Sequence, residues 1–142
     1  MAWKILRLLH MHKSERAWFE SLLPQSSCVL WTDRNVEADA ERWRILVVDH
    51  NAASAEGLAA TLSADGCDAR YVLSGMDTLQ AIDGWVPHVV ILDISMPEHD
   101  GFATAQVLRR ISPTRNAGII AFTARGKDYV RSKGFYVGLH SV

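Results

Sequence analysis

Strands alternating with helices along a chain of 142 residues predict an α/β fold built on a parallel, doubly wound sheet. Three observations predict it. The run Val89-Val-Ile-Leu92 is apolar at every position, as a strand covered on both faces must be. Ile45-Leu-Val-Val48 and Gly118-Ile-Ile-Ala-Phe122 repeat the pattern before and after it. The first two runs each deliver an acid, Asp49 and Asp93, to the carboxyl end of the strand, where open α/β sheets bind their ligands.

The elements follow in order. Residues 1–24 read as a helical segment, with Trp3, Leu6, Trp18, Phe19, Leu22 and Leu23 at helical spacing and Pro24 as its stop. The composition then turns polar over residues 25–42, read as a linker, and the domain proper takes residues 43–142. Its first strand runs from Arg44 to Asp49, and a helix from Ala53 to Ala64 stops at Asp65-Gly66. A second strand spans Asp68 to Leu73, and a short helix runs from about Met76 to Asp83 before Gly84 and Pro87 lead into the Asp93 strand. A helix from Gly101 to Ile111 is broken by Pro113, and the fourth strand ends at Thr123-Ala124. Lys127 to Lys133 form a short helix and Phe135 to His140 a fifth strand.

Composition narrows the function. A net charge of −1 offers no general attraction for nucleic acid or an anionic membrane, and no second pattern resembles a DNA-reading helix pair, so neither is expected as a partner. The apolar first segment is interrupted by Lys4, Arg7, His10, His12, Lys13 and Arg16, whereas a spanning helix needs about 20 mostly uncharged residues. A cytoplasmic location is the expectation. Cys28 and Cys67 lack metal-ligand spacing and read as ordinary thiols. His10 and His12, two residues apart, point to different faces of a helix and read as solvated or interfacial.

Asp49, Asp93 and Thr123, each after an apolar strand, together with the segment Asp93-Ile-Ser-Met-Pro-Glu-His-Asp-Gly101, carry a resemblance to the receiver domain of two-component response regulators. The resemblance runs from about Arg44 onward. It implies a flavodoxin-like five-stranded sheet of order 2-1-3-4-5. It also implies a function: a phosphoacceptor that takes a phosphoryl group on Asp93 from a histidine kinase or phosphotransfer protein and passes the change to a downstream protein or a second copy. Magnesium would be the cofactor, held by Asp49, Asp93 and the backbone carbonyl of Ser95. Thr123 would hydrogen-bond a phosphoryl oxygen, and Met96, Pro97 and Gly101 would shape the loop beside the pocket.

The chain departs from the family pattern in three places. The usual second acid after the first strand is His50, and imidazole is a poor ligand for magnesium, so weakened binding is expected. The lysine expected on the fifth strand is absent; one alignment puts Ser141 there, another Leu139. The final helix is missing, and the extra N-terminal helix could fill its slot or remain an undocked arm. These departures leave room for a degenerate receiver that binds partners independently of phosphate, or a receiver fragment of a hybrid sensor kinase. An aspartyl-phosphate phosphatase would need a second acid two residues after its nucleophile, where this chain has Ser95, so an enzyme is not expected.

Overall fold

The computed structural model describes residues 41–96, 101–122 and 140–141. Among the described residues, five parallel strands form one sheet: β1 (Arg44–Val48), β2 (Asp68–Val72), β3 (Val89–Asp93), β4 (Gly118–Phe122) and β5 (His140–Ser141). Their spatial order is β2-β1-β3-β4-β5, the order expected for this fold. The helices α1 (Ala52–Ala64), α2 (Gly75–Ala81) and α3 (Gly101–Arg110) connect the first four, and a short 3₁₀ turn, Ser112–Thr114, follows α3. The segments 1–24 and 127–133, most of the expected linker, and Pro97 and Thr123 lie outside the described residues.

Strand periodicity divides the core between two faces. Side chains alternate, so Ile45 and Val47 of β1 face one way while Leu46 and Val48 face the other. The first set joins Val89, Ile91 and Ile120 under Ala55, Ala59 and Leu62 of α1. The second joins Val90, Leu92, Ile119 and Ala121 under Ile82 and Trp85, which follow α2, and Phe102, Ala105 and Leu108 of α3. Both faces of β1 and β3 are therefore apolar, which is why these strands read as unbroken hydrophobic runs. The margin strand β2 is different: Arg70 and Tyr71 are exposed.

Local chemistry sets the boundaries. Asn51 caps α1, its side chain accepting the Ser54 N–H at 3.0 Å. At the other end Gly66 adopts φ of +91°, a left-handed conformation suited to glycine, and Cys67 is buried just beyond it. Ser74 caps α2 by accepting the Asp77 N–H, while its own hydroxyl donates to the Asp77 carboxylate at 2.8 Å. Helices α2 and α3 meet closely at Gly75, where a Cβ would collide with Thr104 Oγ1.

The fifth strand differs from its expected span. The described ladder pairs Ile120 with His140 and Ala121 with Ser141, so pairing continues past His140 instead of ending there. Residues 135–139, the rest of the expected strand, lie outside the described residues. A two-residue strand carries too little periodicity for its limits to be read from sequence.

Candidate functional site

The carboxyl edge of the sheet collects the chemistry. β1 and β3 are adjacent and in register, with Val48 opposite Leu92, so the residues that follow them, Asp49 and Asp93, emerge side by side. Their side chains are about equally buried, at 12% and 13% exposure, whereas the His50 ring is half exposed. Each carboxylate is fixed by the turn that leaves its strand. Asp49 Oδ1 accepts the Asn51 N–H at 2.8 Å, and Asp93 Oδ1 accepts the Ser95 N–H at 2.7 Å. These local bonds hold the acids in the turn geometry that aspartate favours.

His50 bridges the two acids. Its Nδ1 lies 3.1 Å from Asp93 Oδ2 and 3.7 Å from Asp49 Oδ1. One ligand atom from each of the three residues falls within 4.8 Å of the others, a spacing that could hold a metal ion. Two carboxylates this close repel by about 3 kcal/mol at an effective dielectric near 20, so the site is built to receive positive charge. A metal ion can answer that need.

Ser95 is half-buried, and its N–H serves Asp93. Met96 is buried with Leu92 and Phe102, so it anchors the loop in the core on the α2/α3 face. Gly101 is required by close packing: a Cβ there would stand 2.6 Å from both the Asp93 carbonyl oxygen and the Ile94 Cα. The start of α3 thus presses directly on the end of β3. Thr123 and Pro97 lie outside the described residues, and Ser141 sits on β5 opposite Ala121.

A flavodoxin-like sheet with paired aspartates at its carboxyl edge defines a class of ligand-binding α/β domain. Residues 45–142 match the response regulator receiver domain family, and the chain belongs to it. It is 24% identical to protein PilG of Pseudomonas aeruginosa over 103 residues, which cover 72% of this chain and 76% of that one. It is 36% identical to the DNA-binding response regulator MtrA of Mycobacterium tuberculosis over 87 residues, covering 61% of this chain but 37% of MtrA. The CpxR homolog of Haemophilus influenzae, a transcriptional regulatory protein, is 30% identical over 95 residues, covering 67% of this chain and 40% of the regulator. The chain therefore spans about two fifths of the length of these two regulators.

Solved structures agree on the fold. The chemotaxis protein CheY4 of Vibrio cholerae superposes with a TM-score of 0.67 at 22% identity, covering 70% of this chain and 83% of that one. The N-terminal domain of a response regulator receiver protein from Methanoculleus marisnigri gives 0.61 at 26% identity, covering 70% and 80%. The chain is a receiver domain of two-component signalling, a class of signalling module. No helix among the described residues is long and apolar enough to cross a membrane.

Proposed function

We propose that this receiver domain accepts a phosphoryl group on Asp93. The observation that carries the reading is the convergence of Asp49 and Asp93 at one sheet edge, with Asp93 Oδ1 occupied by the Ser95 N–H and Oδ2 turned toward the cluster. In the reaction an Asp93 carboxylate oxygen attacks phosphorus, an O–P bond forms as the P–N bond to the donor histidine breaks, and the imidazole of the donor leaves with the electron pair. The donor is a histidine kinase or phosphotransfer protein, and a downstream protein or second copy reads the altered surface. A cytoplasmic location belongs to the same reading.

Magnesium is the ion this chemistry implies, and it would neutralise phosphoryl charge while bound. Asp49, Asp93 and the Ser95 carbonyl are the oxygen donors that would hold it. The two carboxylates fit a hard cation; the imidazole beside them fits less well, so magnesium binds weakly. Thr123 is assigned the contact to a phosphoryl oxygen, and Ser141 the position that a lysine usually takes.

His50 supports a second reading. Its 3.1 Å bond engages Asp93 Oδ2, the oxygen not held by the Ser95 N–H, and so competes with phosphorus for that oxygen. A site satisfied in this way suits a module that binds partners independently of phosphate. Incubation with a small phosphodonor and magnesium, followed by intact-mass measurement, separates the two. The first reading expects a phosphoryl adduct that Asp93→Asn removes; the second expects none, with partner binding intact in Asp93→Ala.

A further inference from the structure

We propose that Asp49, His50 and Asp93 form a binding site for a divalent transition metal that accepts nitrogen, of the cobalt, nickel or zinc kind, in preference to magnesium. The proposal deepens the receiver reading, because it concerns the ion admitted beside Asp93. It rests on three features of the same edge.

The donors are of the required type. Two carboxylates and one imidazole make a mixed oxygen and nitrogen set, and imidazole selects zinc, nickel and their neighbours, whereas magnesium selects oxygen and keeps its waters. The donors also stand near the required spacing. Metal bonds of about 2.0–2.2 Å place neighbouring ligand atoms about 2.9–3.5 Å apart in tetrahedral or octahedral arrangements. His50 Nδ1 stands 3.1 Å from Asp93 Oδ2 and 3.7 Å from Asp49 Oδ1, with all three ligand atoms within 4.8 Å of one another. Finally, the cluster can be reached. The His50 ring is half exposed while the acids are mostly covered, so the imidazole stands at the mouth and the carboxylates at the floor.

The local backbone supports the same assignment. The Asn51 and Ser95 N–H groups each hold one carboxylate oxygen, orienting both acids before an ion arrives. His50 ligates through the Nδ1 lone pair, with its ring proton on Nε2. The hydrogen bond to Asp93 is thereby exchanged for two bonds to a shared ion.

Cobalt is the direct probe, because its visible absorption reports the ligand set. The full chain, stripped of metal, is titrated with cobalt alone and with magnesium alone, and magnesium is then tested as a competitor. The expected result is one cobalt per chain, an absorption band that both His50→Ala and Asp93→Ala remove, and no displacement by magnesium at equal concentration. His50→Asp should lower the cobalt-over-magnesium affinity ratio by about tenfold or more, mostly through stronger magnesium binding. The double variant His10→Ala/His12→Ala should keep the band, which separates this site from the first segment. An unchanged ratio in His50→Asp, or an unchanged band in His50→Ala, overturns the proposal. The titrations read binding alone, so a chain that behaves as expected here yet takes no phosphoryl group breaks the phosphoacceptor reading and leaves the metal site standing.

Discussion

The two ends of the sheet solve opposite problems. At the amino end, polar groups are stitched across elements far apart in sequence. The Arg44 N–H donates to His88 Nδ1 at 3.0 Å, Arg44 Nε donates to the Val86 carbonyl at 2.6 Å, and the His88 N–H and carbonyl bridge Arg44 and Gly118. Beside them Trp85 Nε1 donates to Asp68, and the Arg70 guanidinium lies 4.3 Å from the centre of the Trp85 ring. At the carboxyl end the bonds that orient the acid side chains are local, each spanning two residues, and His50 to Asp93 is a side-chain contact between the ends of the paired strands β1 and β3. Long-range ties make the amino end a clamp. Local ties orient the acids and leave the space between them for a ligand.

This contrast can be broken at either end, beginning with the largest effect. Asp93→Asn should abolish phosphoryl uptake completely while shifting the melting temperature by only a few degrees, since the Ser95 N–H keeps an oxygen acceptor; intact mass and a thermal melt check both. Gly101→Val should destabilise the domain by about 3 kcal/mol, because the added carbons meet backbone that cannot yield; denaturant unfolding measures this. His88→Ala should cost about 2 kcal/mol by taking the acceptor from the Arg44 N–H, and should leave phosphoryl uptake per folded molecule unchanged. Were uptake to fall with it, the two ends would not be separable.

The smallest effect is one of pH. Burial, and then the charge of Arg44, hold the His88 pKa below its ordinary value of 6.5. The folded state thus favours neutral His88, and the unfolded chain binds the proton more readily. Stability from this residue is complete above 6.5 and is lost as pH falls through the lower folded value. Melting temperature should therefore drop between about pH 7.5 and about pH 5, and the drop should be smaller in His88→Ala than in the parent.

What the sequence disclosed follows the same division. Apolar runs ending in acids were enough to place β1, β3, Asp49 and Asp93, because burial on both faces and position at a strand tip are written in consecutive residues. Gly101 was legible as a loop residue, but the need for glycine lies in a clash with the Asp93 carbonyl, which only packing reveals. His50 was legible as a departure in residue type, while its bond to Asp93 joins positions 43 residues apart. The amino-end clamp left no local mark: a single histidine between Pro87 and Val89 does not announce that it accepts a hydrogen bond from another strand. Register between neighbouring strand tips, more than residue type, is the signal that would have found both histidine contacts.

Cys67 gives the corner between α1 and β2 a chemical clock. Burial, reinforced by Asp65 and opposed by Arg42, pushes its thiol above the ordinary value, and the residue belongs to the same buried cluster as Leu62. An alkylating reagent meets a protonated, covered sulfur until that corner opens. The rate at which Cys67 is modified, located by peptide mapping, thus times the breathing of the first crossover, upstream of the segment that presents Asp93.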